Sequence, residues 1–253
     1  MTDALFLAGS VDVPVGGVLH LDGPEGRHAA AVRRLRAGEP VLVADGRGSA
    51  IQGVTKVVGR DFVDVEVAGH LREPARQHRW VGVQALAKGS RDEQAIEAMT
   101  ELGVDEVLAW PASRSIVEWR DYDKQAKGLA KWASTLREAA KQSRRFSVPG
   151  VGFAATGDVC ARIGRAAQAF VLHESAPAHL DAQPLVASGE VVFIVGPEGG
   201  ISPEELAQFE DAGATPVLVA DHVLRTSTAG VVALAQLQAM ARAKPGPPER
   251  RDD

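Results

Sequence analysis

Two short polar runs carry the residue types from which a ligand site could be made. The first is Gly196-Pro197-Glu198-Gly199-Gly200. Its glycines would let backbone N–H and C=O groups approach a ligand with no Cβ in the way. Its one carboxylate, Glu198, would repel a polyphosphate and suits a cationic or neutral polar partner. No Lys-Ser/Thr follows the glycines and the run is not G-x-G-x-x-G, so neither familiar phosphate loop is written here. The second run is Asp221-His222-Val223-Leu224-Arg225-Thr226-Ser227-Thr228-Ala229-Gly230, with one guanidinium and three hydroxyls. Taken alone, either run could equally be a plain turn between elements. No His/Cys cluster has metal-ligand spacing, and no G-x-S-x-G elbow supplies a hydrolase nucleophile.

The elements around these runs give them a common address. Val191–Val195 has the length and β-branching of a buried strand. After the glycines, Ser202 offers an N-cap, Pro203 fits the first helical position and Glu205 closes a capping box. The second run likewise follows an apolar stretch, 215–220, and leads into a helix over about 228–243, with Thr226, Ser227 or Thr228 as its cap. Two strand–loop–helix units therefore open on the carboxyl edge of one sheet, where ligands sit in open α/β folds. Upstream, 81–87, 104–110 and 168–174 read as further strands. A helix closed by Gly103 follows a Ser90/Glu93 capping box, and a long helix covers about 121–145. This alternation predicts a parallel sheet with helices on both faces.

Residues 1–72 differ in period. Stretches 18–21, 41–55 and 61–67 are strand-like, Asp45-Gly46 and Arg47-Gly48 form a hairpin turn, and one short helix over 25–36 ends at Gly38. The reading is a small β-barrel over 1–72, an α/β domain over 73–243 and a disordered tail over 244–253. The chain carries net charge −5 with 45% apolar residues, and the excess acid lies beyond residue 150. Before that point the positive charge is bunched. Arg33, Arg34 and Arg36 form one cluster; His70, Arg72, Arg76, His78 and Arg79 a second; Lys131, Arg137, Lys141, Arg144 and Arg145 a third, relieved only by Glu138. Such clusters suit a phosphate backbone, and each could also be a solvated face. Trp80, Trp110, Trp119 and Trp132, scattered singly, are expected as core or interface anchors. Cys160 is the single cysteine, no run approaches membrane-spanning length and the N-terminus lacks a signal-peptide pattern, so a cytoplasmic protein is expected.

At this point the residues resemble a known family. GPEGGISPEE followed by VLRTSTA is similar to the SPOUT-class RNA methyltransferases, specifically the RsmE family of 16S ribosomal RNA (uracil-N3)-methyltransferases. The likeness covers nearly the whole chain. His28, Arg33, Leu35, Arg36 and Gly38 follow the family's H-x-x-x-V-L-R-L-K-x-G pattern, QALAKGSR (84–91) with TELGV (100–104) its K…T-E-L-G-V block, and EAAKQSRRFSVP (138–149) its E-A-x-x-Q-S-x-R…P block. Ser227 stands where the family commonly has Glu, which puts any role of that carboxylate in question.

The resemblance implies an N-terminal PUA-like barrel, a C-terminal domain with a trefoil knot and a homodimer with its active site at the interface. It implies S-adenosylmethionine as cofactor, held by Leu172, His173, Glu174, Gly196, Pro197, Gly199, Gly200, Val219, Leu224, Thr226, Ser227 and Ala229. The implied product is N3-methyluridine at position 1498 of 16S RNA, made on free RNA or on the 30S subunit. Arg225 is expected to stabilise charge developing on the uracil carbonyls, and Glu198 is a candidate proton acceptor. Lys88, Arg91 and Arg114, with Arg33, Arg34, Arg36, Arg144 and Arg145, are expected to grip RNA phosphates. Rival readings are methylation at another RNA position, such as a ribose 2′-OH or transfer RNA, and a ribosome-assembly RNA binder without activity.

Overall fold

Alternating burial builds the first sheet. The computed structural model describes residues 3–243, and the tail expected over 244–253 lies outside the described residues. The chain forms two compact units, Met1–Ala75 with Arg137–Val148, and Arg76–Leu136 with Pro149–Asp253. In the first lie β1 (Ala4–Leu7), β2 (Val18–Leu21), α1 (Gly23–Arg27), β3 (Pro40–Ala44), β4 (Ser49–Val58) and β5 (Val63–Arg72). Their sheet order is β1-β3-β4-β5-β2, with β1–β3 parallel and the other pairs antiparallel. On β4 and β5 buried residues recur at every second position near the bulge at Gln52/Gly53, so one face carries Ile51, Val63, Val65 and Val67 into the core with Phe6, Leu19 and Val41. This is a half-barrel.

The helix expected over 25–36 is shorter and differently closed. α1 passes into a π-helical turn at His28–Val32, with Arg33 N–H donating to His28 O at 2.8 Å. The residue in the left-handed region is Arg34, at φ 54°, and Leu35 N–H reaches back to Ala29 O at 3.1 Å. That is a widened form of the glycine-type helix stop. Gly38 instead donates to Thr55 O at 2.7 Å.

The second unit begins with β6 (His78–Ala85), α2 (Arg91–Leu102), β7 (Glu106–Trp110) and α3 (Tyr122–Gln142), the residues of α3 from Arg137 onward counting with the first unit. It continues with β8 (Gly150–Phe153), α4 (Thr156–Ile163), β9 (Gln168–Leu172), β10 (Gly189–Val195), α5 (Pro203–Asp211), β11 (Thr215–Val217) and α6 (Thr226–Ala243). All pairings are parallel, in the order β11-β9-β10-β6-β7-β8. β1, β8 and α4 are short segments without a strong period, and sequence reading passed over them. On one face Val81, Val83, Val192 and Ile194 pack with Val159 and Ile163 of α4 and Phe209 of α5. On the other, a Cβ at Gly82 would lie 3.1 Å from Phe193 and 3.5 Å from Met99 Sδ. There too a Cβ at Gly230 would come within 2.9 Å of Met99 Sδ and 3.1 Å of Val195, so α6 is seated directly on α2 and β10. Trp80, Trp110 and Trp132 are buried in the core.

The start of α2 corrects a second expectation. Ser90 sits at φ 58° and makes no cap bond, because a left-handed N-cap does not aim its hydroxyl at the N3 amide. Asp92 serves instead, its Oδ2 accepting from Ala87 N–H at 3.3 Å and its Oδ1 from Glu93 N–H at 2.9 Å. Burial pushes the Asp92 carboxyl up despite those bonds.

Candidate cofactor and RNA site

The carboxyl ends of β11, β9 and β10, three neighbours in the sheet, open on one edge. The segments leaving them line a cavity of about 460 Å³. Leu172, His173 and Glu174 come from the end of β9, Gly196 to Ile201 from the end of β10, and Val223, Leu224, Arg225, Thr226 and Ala229 from the approach to α6. A smaller lobe of about 120 Å³ continues along β11 past Val219 and shares Leu172, His173, Glu174, Val223, Leu224 and Ala229. Ser227 lines neither lobe.

The glycine loop is held by side chains from both directions. At its far end Ser202 caps α5, accepting from Glu205 N–H at 3.2 Å while Ser202 N–H donates to Glu205 Oε2 at 3.2 Å. The buried Glu205 carboxylate also accepts from Ser113 N–H at 2.7 Å and Ser113 Oγ at 2.8 Å. It thereby ties the segment after β7 to the loop. At the near end Thr226 Oγ1 donates to Gly196 O at 2.7 Å and accepts from the buried Gln84 Nε2 at 2.9 Å. Glu205 in this second role, Ser113 and Gln84 were missed by sequence reasoning. The capping-box pattern gave Glu205 a local use, and nothing local marked its partner 92 residues away.

Close packing explains two glycines. A Cβ on Gly199 would lie 3.0 Å from Arg114 O and 3.1 Å from Arg114 Cβ, and Gly200 adopts φ 73°. Arg114 Nη1 donates to Gly199 O at 3.3 Å. The loop is therefore glycine-rich because another backbone presses on it, as well as being open to the cavity.

Charge in the cavity is unevenly partnered. Glu198 Oε1 accepts from Arg91 Nη1 at 2.9 Å, so the two named separately from sequence meet as an ion pair. Arg225 is exposed and its side chain has no partner among the described residues, while its carbonyl accepts from Thr228 and Ala229 N–H at 2.8 and 3.0 Å to begin α6. Among the described residues no group of His, Cys, Asp or Glu side chains is placed to hold a metal ion.

The basic clusters prove unequal. In the second, Arg76 pairs with Asp105, Arg79 with Glu106 at 2.7 Å, and buried His78 bonds Val186 O at 2.9 Å. Acidic residues distant in sequence thus engage Arg76 and Arg79, while His70 and Arg72 stay exposed. In the third, Lys131 pairs with Glu93, and Arg137 and Lys141 with Glu25. Arg145 donates to Ser147 Oγ at 3.3 Å. Arg33, Arg34, Arg36, Lys88, Arg114 and Arg144 are exposed. No helix among the described residues is long and apolar enough to cross a membrane.

Known proteins share both units. A family model for an RNA methyltransferase domain matches residues 75–238, and one for an RNA methyltransferase PUA domain matches residues 21–68. The class is thus that of RNA methyltransferases with a PUA module. A Mycobacterium bovis protein named ribosomal RNA small subunit methyltransferase E is 42% identical over 224 residues, spanning 87% of this chain and 85% of its own length. A Neisseria gonorrhoeae ribosomal RNA small subunit methyltransferase E, solved bound to S-adenosyl methionine, superposes with TM-score 0.83 at 25% identity, covering 94% of this chain and 98% of that one. A Legionella pneumophila methyltransferase solved with bound cofactor SAM matches equally well at 27% identity, with the same coverage. The chain belongs to the ribosomal RNA small subunit methyltransferase E family. Its half-barrel is PUA-like and its parallel sheet is of the SPOUT type.

Proposed function

We propose that the protein transfers a methyl group from S-adenosylmethionine to N3 of a uracil in 16S RNA, at position 1498, in the decoding region of the small subunit. The observation that carries this reading is the cavity of about 460 Å³ at the carboxyl ends of three adjacent parallel strands, with the glycine loop on its wall. Its size lies in the range of pockets that enclose a small organic molecule. Apolar walls at Leu172, Val219 and Leu224 suit an adenine and a methionine chain, and the glycine loop leaves room beside them. When bound, the cofactor supplies an electrophilic methyl on a sulfonium.

The chain's own residues would do the rest. Segments 172–174, 196–200 and 219–229 fix the donor so that in-line transfer becomes a matter of position. The target base must leave its stack to reach this edge. Uracil N3 carries a proton at neutral pH; Glu198 would accept it, and Arg225 would meet the negative charge spreading onto the carbonyls. Lys88, Arg91 and Arg114 would guide phosphates near the cavity, and Arg33, Arg34, Arg36, Arg144 and Arg145 would bind RNA on the first unit. Exposed Ile116, Tyr122 and Val223, the last on the cavity rim, support a homodimer that covers them. The trefoil knot that the family resemblance implies is proposed for the parallel sheet of the second unit. The protein is read as cytoplasmic, where its RNA resides.

The test is methylation of 30S subunits lacking the mark, with labelled cofactor, followed by mass mapping of the modified nucleoside. N3-methyluridine at 1498 is expected. Label on a ribose, at another position or on transfer RNA would replace this reading, and cofactor binding without transfer would favour an RNA binder.

A further inference from the structure

Two basic stretches far apart in sequence converge in the first unit. Glu25 binds the end of α3, accepting from Arg137 Nη2 at 3.1 Å and from Lys141 Nζ at 3.0 Å, 116 residues away. Glu73 binds the residues just beyond, accepting from Phe146 N–H at 2.7 Å, Ser147 N–H at 3.0 Å and Ser147 Oγ at 2.7 Å. Between these two anchors stands Arg144, exposed and in the left-handed region at φ 58°. A non-glycine residue seldom adopts that conformation, which Gly or Asn takes more readily. Beside it a cavity of about 130 Å³ is lined by His28 and Arg33 from the π-helical turn and by Lys141 and Arg144 from the returning segment, with Asp3 and Glu138 also on its wall.

We propose that this cavity is a socket for one phosphodiester group of the RNA, gripped jointly by Arg33 and Arg144. The proposal rests on the reading that the substrate is RNA. Neither Arg33 nor Arg144 has an ion-pair partner among the described residues, whereas Lys141 is buried and already held by Glu25 and Glu138. An incoming anion therefore meets two unengaged guanidiniums, while Lys141, spent on its carboxylates, fixes the segment that carries Arg144. The ring of Phe6 is buried and meets His28 edge-on, so no open aromatic face invites a base. Asp3 and Glu138 oppose a doubly charged phosphate more than a singly charged diester.

The joint grip sets the test. Binding of labelled 16S RNA is measured against salt for the full-length protein and for Arg33→Gln, Arg144→Asn and the double variant; Asn keeps the left-handed backbone at 144. One shared phosphate predicts that each single variant weakens binding about three- to tenfold near 0.1 M salt, that the double is little worse than the poorer single, and that its salt slope falls by about 0.9. Cofactor affinity by calorimetry is expected to stay within threefold of the parent. A double variant weakened by the product of the singles, with a slope change near 1.8, means two separate phosphates and overturns the socket; so do variants that bind RNA like the parent. Inorganic phosphate is expected to compete with RNA no better than sulfate at equal ionic strength. Selective competition by phosphate would make this a free-phosphate site and also overturn the proposal. A parent protein that binds cofactor but no RNA would sink the functional reading together with it, whereas a parent that binds and methylates RNA alongside unaffected variants sinks the socket alone.

Discussion

The two cavities are made by opposite means. In the second unit the cavity is built around a close-packed glycine loop, held in place by hydrogen bonds from Glu205 and Thr226. In the first unit the small cavity is a meeting of charged side chains, fixed by carboxylates behind them. A site of the first kind is broken by adding a methyl group or removing a buried anchor. One of the second kind is broken by removing charge, by salt or by acid.

Experiments can press on that contrast. Glu205→Ala removes three accepted hydrogen bonds from a buried carboxylate and should lower stability by about 3 kcal/mol, with cofactor affinity falling at least tenfold. Denaturant unfolding and calorimetry read both effects, and unchanged values would mean that the loop stands without its side-chain anchors. Gly199→Ala drives a Cβ against Arg114 and is expected to cost roughly 1–3 kcal/mol, seen as about tenfold weaker cofactor binding with RNA binding intact. Thr226→Val strands Gly196 O and leaves the Gln84 amide with only its bond to Ala85 O; a loss of about 1–2 kcal/mol in melting experiments is expected.

Acid should act on the first unit. Burial works against the charge on Glu25, but Lys141, Leu7 N–H and Arg137 outweigh it and hold the carboxyl below its ordinary value of 4.5. Glu73 is held low in the same way, with Ser147 and Phe146 outweighing its burial. Because both folded values are depressed, their stabilisation is complete above about pH 4.5 and disappears as pH falls through the folded values. Hydrogen exchange at 137–148 should accelerate in that window, and flat protection there would refute the anchoring role. Smallest of all, Arg91→Gln breaks a partly exposed pair and should change stability by less than about 1 kcal/mol.

The same contrast governs what could be read from sequence. The cavity at the carboxyl edge of the parallel sheet was legible because its lining comes from contiguous motifs: a strand, GPEGG, a capping box, and a second strand followed by VLRTSTA. The capping box at Ser202 and the glycine stop at Gly103 formed where the pattern put them. Charge was misread because its partners are non-local. Nothing beside Arg76, Arg79 or Lys131 in the sequence announces Asp105, Glu106 or Glu93. The helix after Ser90 formed, but its capping box did not, since a serine in the left-handed region satisfies the capping pattern in letters and not in geometry. Arg144 and Arg145, adjacent in sequence, turn to different neighbours, which composition cannot foresee.

The late return of residues 137–148 to the first unit bears on how the protein is born. Phe146 and Val148 complete the apolar cluster of Leu5, Leu7, Ala44 and Ala50. A nascent chain halted at Ala75 has made every strand of the half-barrel but lacks those two side chains and the Lys141 that closes onto Glu25. N-terminal regions usually fold first during synthesis; here the ribosome must deliver β6, α2, β7 and all of α3 before the first module can finish, so its maturation waits on the second.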